Sequence, residues 1–462
     1  MRNIVNLTKE IASKLGIDKS IFYTSLARGI QALGGIVSIL FVAKYLTSVE
    51  QGFYYTFGSI VAIQIFFELG LNGIITQYVA HEAAHLQWTD EFTLTGDYKH
   101  LSRLSSLLHF SIKWYSFFAI ILFVTLIIVG YFFFTRYSVT AERVNWEVPW
   151  VLLAIGTAIN LMIAPILAFL EGLGKVKEVA KIRLVQQIFS ILVVCGGLSF
   201  GAKLYVSGIN WLIGIFIVLV LIIKSDFKQI LLNVWNVVII DRIDYKREIF
   251  PYQWKIALSW ISGYFIFQLF NPVLFATEGA IVAGQMGMTL AALNGIQSLS
   301  MSWMSTKVPL YSNLIALKNY KQLDLVFSKT LKQSVSINGL ALFFMFGIIY
   351  FIRYYNLSVN GMFLGNRFLD YIPLLLMMIP IFLNQFVFSW ASYLRCHKKE
   401  PFLYISIATG LLCSLSTILL GKYFGVIGIT LGYCSITIAM FFWGYSVFLN
   451  KRKFWHHDIV NM

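Results

Sequence analysis

Twelve stretches of about 20 predominantly apolar residues constrain this chain more than any other feature. In the hydrocarbon core of a bilayer every backbone polar group must be bonded within its own segment, so each stretch predicts a membrane-spanning helix. Only 12% of the residues are charged, against about 25% in a soluble domain. The sequence therefore predicts an all-α polytopic membrane protein and excludes a water-soluble globule. The predicted spans are residues 22–46, 52–80, 108–134, 149–170, 184–204, 206–223, 256–277, 281–306, 335–354, 371–394, 402–420 and 426–449.

The positions of the basic residues predict the orientation of these spans. Loops rich in Lys and Arg stay on the cytoplasmic side. With the N-terminus inside, the inner side holds 28 of the 36 Lys and Arg, and the outer side holds seven. Both termini are therefore predicted to be cytoplasmic. The net charge of +15 then reflects topology and contact with anionic lipids, and it does not indicate a nucleic-acid partner.

A weak internal repeat divides the chain into two halves. Residues 97–101 resemble residues 319–323 at an offset of 222, and Leu170 matches Leu394 at an offset of 224. Six spans separate the copies, so the two lobes have the same orientation and are related by a pseudo-twofold axis along the membrane normal. The predicted units are an interfacial amphipathic helix (1–20), an N-lobe with helices 1–6 (21–223), a cytoplasmic connector (224–255), a C-lobe with helices 7–12 (256–449) and a cytoplasmic tail (450–462).

Two segments outside the spans have amphipathic patterns. Apolar Ile4, Leu7 and Ile11 recur at three- and four-residue spacing near the N-terminus, which indicates a helix lying at the membrane surface. A solvated tail is the alternative. Residues 231–240 in the connector have a similar pattern.

Three segments resemble lipid-linked oligosaccharide flippases of the O-antigen and polysaccharide-biosynthesis type, within the multidrug/oligosaccharidyl-lipid/polysaccharide exporter superfamily. They are YLTSVEQGFYYTFGSI after the first span, LEGLGKVKEV after the fourth and NYKQLDLVFSKTL after the eighth. The resemblance implies two lobes around a central cavity, and alternating access that carries a polyprenyl-diphosphate oligosaccharide across the bacterial cytoplasmic (inner) membrane. It implies the cargo and membrane lipids as partners, a polysaccharide polymerase and assembly proteins as possible partners, no cofactor and no enzyme activity.

Charged side chains inside the spans are candidates for binding this cargo. An intramembrane charge is costly, so it is a functional hypothesis by default. Arg28 in the first span is the candidate for binding the diphosphate, and Glu68 in the second is the candidate for pairing with Arg28 or taking up a coupling proton. The alternatives are that Arg28 extends to the inner headgroups and that Glu68 forms a structural ion pair. Lys255 is a weaker candidate, because a basic residue at the inner end of a span is ordinary.

Amide side chains in the spans form a second group of candidates, because they can bond sugar hydroxyls. Bonding between helices explains them equally well. Pro165 and Pro272 can break their helices near the cavity or sit in tolerated kinks. The amides are Asn72, Gln268 and Asn271, which are the preferred ones, with Asn160, Gln285, Asn294 and Gln385.

Residues 81–85 spell HEAAH, the spacing of zinc metalloproteases. A catalytic zinc needs a third protein ligand, and no matching element is evident in the sequence, so an interfacial role is favoured and no metal is predicted. The four cysteines have no CxxC spacing, and there is no GxxxxGK[ST] loop for ATP. Besides the flippase, the sequence leaves open a multidrug or toxin extruder on the same fold, an intramembrane protease and a membrane glycosyltransferase or polymerase.

Overall fold

The structure is a computed structural model that describes residues 30, 34–138, 144–359, 362–397 and 399–457. The candidate Arg28 and the predicted surface helix at 1–20 lie outside the described residues. In the first half the helices are α1 (Gly34–Tyr45), α2 (Ser48–Val61), α3 (Ile65–Glu68), α4 (Leu71–Ala83), α5 (Tyr98–Tyr137), α6 (Glu147–Gly172), α7 (Val176–Ser199) and α8 (Tyr205–Lys224).

The second half repeats this arrangement after a short connector helix. The strands of the described chain form two small antiparallel hairpins. One pairs Leu86–Trp88 with Leu94–Gly96, and the other pairs Ser358–Val359 with Met362–Phe363. The remaining helices are α9 (Phe227–Trp235), α10 (Phe250–Phe267), α11 (Phe270–Thr277), α12 (Ala280–Ala316), α13 (Tyr320–Tyr354), α14 (Tyr371–Arg395) and α15 (Leu403–His457).

The described helices confirm the twelve predicted spans and the two-lobe architecture. Nine helical segments of the described chain are long and apolar enough to cross a membrane. One of them, α15, holds the last two spans, because Gly425 adopts non-helical angles (φ 57°, ψ −141°) in its middle. The eighth span lies in α12, which is 37 residues long. The described part of the first span is α1.

Two predicted spans are interrupted: the break in the second was not predicted, whereas the break in the seventh matches the alternative in which Pro272 breaks its helix. The second span divides into α2, a 3-10 turn, α3 and α4, and the break between α3 and α4 lies where Leu69 and Gly70 both adopt left-handed angles (φ 50° and 67°). A side chain at position 70 would collide with Ile256 of α10, so glycine permits both the angle and the contact. The seventh span divides between α10 and α11, with Pro272 in the first turn of α11. Pro165, in contrast, sits inside a continuous α6.

The lobes make their most extensive contact toward one face of the molecule, and α10 adds a smaller contact beside Gly70. Following the predicted orientation, we call the face that carries residues 225–244 the inner face and the opposite one, with residues 46–47 and 278–279, the outer face. At the outer face α2 crosses α12 where Gly52 meets Gly284, since the missing side chains let the backbones approach. Arg367, from the turn before α14, donates to the Leu46 carbonyl at 2.6 Å and to Gln51 at 3.1 Å. The outer ends of the lobes are therefore joined.

Toward the inner face the second span continues as α4. Within the described chain, α4 forms no extended interface with α12. Its exposed residues include Gly73, Gln77 and Ala80, and the inner half of α12 exposes Trp303 and Asn313. We call the region between α4 and α12 the inner opening, because within the described chain no extended helix interface closes it.

The connector is fastened to the N-lobe. Helix α9 starts four residues before the predicted segment 231–240 and ends at Trp235, and it buries Phe227, Ile230 and Val234. Residues 236–244 are not helical, and Ser102 of α5 accepts bonds from the amides of Ile240 and Asp241 at 2.8 and 2.9 Å. A π-helical turn, Tyr245–Ile249, then leads into α10. The sequence correctly predicted an amphipathic segment in the connector, but the helix covers Phe227–Trp235 and not residues 231–240.

Candidate functional site

A row of polar side chains runs along the second span through its interruption. Gln64 and Glu68 lie before the interruption, and Asn72 and Thr76 lie after it. The Asn72 amide donates to the Glu68 carboxylate at 2.7 Å. The Thr76 hydroxyl donates to the Asn72 carbonyl and lies 3.0 Å from the carbonyl of Ala168 on α6. The row therefore lies against α6 in the interior of the N-lobe.

This row forms one wall of a cavity, which we call the N-lobe chamber. Its volume is about 430 Å³. Glu171 at the end of α6 accepts a bond from Arg183 of α7 at 3.1 Å, and this ion pair also lines the chamber. Trp260 of α10 and Gly73 are exposed lining residues, so the chamber meets the space between the lobes. The further polar lining residues are Glu68, Asn72, Thr76, Asn160 and Gln186.

The C-lobe contains a corresponding cavity of about 210 Å³, the C-lobe chamber. Asn384 and Arg395 line it at positions 224 residues after Asn160 and Glu171. This is the offset that the sequence repeat predicts. The Asn384 amide donates to the Tyr433 hydroxyl at 3.2 Å. Its aromatic lining residues are Phe267, Phe388, Phe402, Tyr433 and Phe441.

The predicted site residues are only partly brought together. Glu68 and Asn72 share the N-lobe chamber, and Asn160 joins them. Lys255 is exposed beside the ring of Trp254, and its ammonium lies 5.7 Å from the ring centroid. Gln268 is partly buried at the end of α10. Neither of the two lines the described walls of either chamber.

Three of the other amides form bonds that hold helices together. Asn271 donates to Ser59 at 3.0 Å and so joins α11 to α2. Gln385 accepts a bond from Gln297 within the C-lobe at 2.7 Å. Gln285 donates to the carbonyl of Asn366 near the outer face. These bonds match the structural alternative for intramembrane amides.

The HEAAH segment anchors the inner end of the N-lobe. Glu82 is buried and lies 2.7 Å from the His100 ring nitrogen and 3.0 Å from the Arg103 guanidinium. His85 stacks on His100 with ring centroids 4.0 Å apart, while His81 is exposed. Among the described residues no three His, Cys, Asp or Glu side chains are placed to hold a metal ion. The carboxylate that would be a general base is used by an ion pair.

Sequence reasoning missed Glu171, Arg183 and Gln186. The fourth span was predicted to end at residue 170, but α6 continues to Gly172 and carries Glu171 inward with it. Arg183 was counted among the inner-loop cations, although it lies two turns into α7. In the sequence, an acidic and a basic residue lie on either side of Gly174, and this arrangement could have predicted their ion pair.

Comparison with known proteins identifies the fold. No family model matches the chain, and neither does any curated protein. Among solved structures it is similar to an inward-facing multidrug resistance MATE family transporter of the MOP superfamily, with a TM-score of 0.64, 14% identity and coverage of 93% of this chain and 95% of that one. An outward-facing structure of such a transporter gives 0.55 at 14% identity, with 94% and 96% covered. A structure of the MATE multidrug transporter DinF-BH gives 0.57 at 12% identity, with 95% and 96% covered. The chain therefore has the MATE-like fold.

Proposed function

We propose that the protein is a membrane transporter that works by alternating access. The observation that carries the proposal is the contrast between the two faces, since the lobes are joined at Arg367 and Gln51 and separate along α4 and α12. Two lobes related by an axis along the membrane normal can rock about such a contact and exchange one opening for the other. In this arrangement the protein is ready to take cargo from the inner side.

We infer that the cargo is a polyprenyl-diphosphate oligosaccharide moved to the outer leaflet of a bacterial inner membrane, with both termini cytoplasmic. The support is the sequence resemblance together with the N-lobe chamber, whose amides, hydroxyl, carboxylates and guanidinium suit a polar headgroup. Arg28 remains the candidate for the diphosphate. A lipid tail can stay in the bilayer, because the inner opening lies between helices of different lobes. Membrane lipids are the expected partners in this role, with a polysaccharide polymerase and assembly proteins as possible ones.

A multidrug extruder is the second candidate function. The MATE-like fold favours it, and so does the presence of two carboxylates, Glu68 and Glu171, in the N-lobe chamber. An organic cation is stabilised by carboxylates in a partly dehydrated site.

Depletion of the protein in a strain without another flippase distinguishes these functions. We expect lipid-linked oligosaccharide to accumulate in the inner leaflet and surface polysaccharide to fall at least about tenfold, which the wild-type chain restores. Normal polysaccharide export, together with increased sensitivity to cationic drugs, would instead establish the extruder. Arg28→Ala tests the diphosphate contact in the same strain, and wild-type export in that variant would remove Arg28 from the mechanism.

A further inference from the structure

Helix α10 contributes side chains to both chambers. Trp260 lines the N-lobe chamber, whereas Ser259 and Gly263 on the same helix line the C-lobe chamber. A Cβ atom at position 263 would meet no other atom within 4 Å, so the glycine leaves the α10 side of the C-lobe chamber open. A cargo molecule lying against α10 can therefore place different parts of itself in the two chambers.

Aromatic rings from three helices line the C-lobe chamber. Phe267 lies at the end of α10, Phe388 on α14 and Phe441 on α15, and all three are only partly buried. The face of an aromatic ring is negative, so it attracts the weakly positive C–H groups on one face of a sugar ring. The chamber thus offers stacking surfaces to a ring that is apolar on its faces.

Hydroxyl groups on α15 supply hydrogen-bond acceptors to the same chamber. Thr409 donates its proton to the Ile405 carbonyl at 2.7 Å, and Thr437 donates to the Tyr433 carbonyl at 2.8 Å. A hydroxyl that has given its proton keeps an oxygen with lone pairs, which can accept a bond from a ligand. These threonines therefore suit a ligand that donates through its own hydroxyl groups.

Charge and size restrict what the C-lobe chamber can hold. Among its described lining residues there is no carboxylate to balance an organic cation, and the guanidinium of Arg395 is paired with Glu400 at 2.8 Å. An isoprenoid tail offers no donor to the hydroxyl oxygens. The volume of about 210 Å³ lies below the roughly 300–1,000 Å³ of pockets for drug-sized ligands. A single small neutral unit with hydroxyl groups fits these limits.

We propose that the C-lobe chamber binds a neutral sugar unit of the cargo. The sugar ring stacks on Phe388 and Phe441, and its hydroxyls donate to Thr409 and Thr437. The inference rests on the proposed function and deepens it, because it assigns the two parts of the cargo to different lobes. The N-lobe chamber takes the charged headgroup, and the C-lobe chamber selects the sugar.

Purified protein in a detergent without a sugar headgroup tests the site directly. The probes are free glucose, galactose, N-acetylglucosamine and N-acetylgalactosamine, with mannitol as a linear polyol that has hydroxyl groups and no ring to stack. Saturation-transfer NMR measures their binding. We expect saturable transfer to the ring C–H protons of at least one sugar and none to mannitol.

Gly263→Leu should lower the apparent sugar affinity at least about tenfold, because the new side chain occupies the open space that the ligand needs. Gly347→Leu is the matched control. Gly347 lies on the exposed side of α13, where a Cβ atom also meets no other atom within 4 Å, and it does not line the chamber. Its sugar affinity should stay within about twofold of wild type.

Phe388→Leu covers the case in which Gly263→Leu does not fold. It keeps an apolar side chain and removes the ring face, so the sugar affinity should fall several-fold. Wild-type affinity in either folded variant overturns the inference, and so does the absence of saturable transfer to all four sugars or equal transfer to mannitol.

Export in the depleted strain separates this inference from the proposed function. Wild-type export by a Gly263→Leu variant that no longer binds sugar rejects the C-lobe chamber as a cargo site and leaves the proposed function intact. Sugar binding by a protein whose depletion leaves export normal rejects the proposed function instead.

Discussion

The two chambers occupy equivalent places in the two lobes but differ in charge. At the position where the N-lobe chamber has Glu171, the C-lobe chamber has Arg395, 224 residues later. Each of these residues forms an ion pair on the inner side of its lobe, Glu171 with Arg183 at 3.1 Å and Arg395 with Glu400 at 2.8 Å. The duplicated fold therefore determines where a cavity forms, and the side chains determine what it can bind.

The remaining lining residues extend this contrast. In the N-lobe chamber a carboxylate, two asparagines and a glutamine come from four helices, and the volume is about twice that of its counterpart. The C-lobe chamber is lined by five aromatic residues together with several serine and threonine hydroxyls, and its Asn384 bonds Tyr433. The N-lobe chamber therefore has more charged and amide side chains than the C-lobe chamber.

Reversing the charge at position 171 should produce the largest effect. Glu171→Arg places two guanidinium groups together at the N-lobe chamber, and repulsion between like charges should reduce transport at least about tenfold. The double variant Glu171→Arg with Arg183→Glu restores an ion pair and should recover transport to within a few-fold of wild type. Export in the depleted strain, corrected for the amount of protein in the membrane, measures both.

The control for this comparison is Arg395→Glu, which reverses the matched charge in the C-lobe beside Glu400. We expect it to reduce transport less than Glu171→Arg does, because Arg395 and Glu400 are both about half exposed and solvent weakens their interaction. Equal losses in the two lobes would contradict the functional difference between the chambers.

Alanine variants of the repeat counterparts Asn160 and Asn384 should distinguish a loss of transport from a loss of stability. Their effects should be smaller than those of the charge reversals. Asn384→Ala removes the bond to Tyr433 and should lower the free energy of unfolding by about 1 kcal/mol. Asn160→Ala, its repeat counterpart, should leave stability nearly unchanged and lower transport several-fold if the N-lobe chamber contacts cargo. Thermal unfolding of the purified variants and export in cells are the two measurements. A pure stability loss in Asn160→Ala would mean that both asparagines are structural.

The smallest expected effect concerns the fastening of the connector to the N-lobe. Burial of Glu248 opposes its ionisation, but the bonds from Arg103 and from the Asp244 amide outweigh burial and lower the pKa of this carboxyl. A carboxyl with a lowered pKa stabilises the fold above its ordinary pKa of 4.5, and that stabilisation disappears as the pH falls through the folded value.

Glu248→Gln should therefore raise amide hydrogen exchange in residues 236–249 a few-fold at pH 7. The difference from wild type should shrink as the pH falls below 4.5 and vanish only below the lowered pKa of the folded carboxyl, where the wild-type side chain is also protonated. Arg452→Ala is the C-lobe comparison, because Arg452 pairs with Asp324 at 2.9 Å at the end of α15, and it should leave exchange in the connector unchanged. If hydrogen exchange in the connector is unchanged in Glu248→Gln, the contacts from Ser102 of α5 are sufficient to hold the connector on the N-lobe.

Several features of the site follow from sequence patterns and others do not. The offset of 224 between Leu170 and Leu394 correctly anticipates that Asn160 and Asn384 are equivalent. Glu68 stands out in the sequence because it is charged inside an apolar span. Glu171 and Arg183 do not stand out, because each lies next to the predicted end of a span, where a charged residue is ordinary. The HEAAH pattern fits two chemistries, and only the positions of His100 and Arg103 show which groups Glu82 contacts.

The sequence by itself determined the number of spans and the duplication, because the bilayer allows only long apolar helices and the basic loops distinguish one side from the other. It also singled out Glu68. The tertiary structure alone decided the interruption at Leu69 and Gly70, since that depends on how closely α10 approaches. It likewise decided which polar side chains meet in each chamber. Hydropathy depends on local composition, whereas a cavity depends on contacts between residues as distant in the chain as Glu68, Glu171 and Trp260.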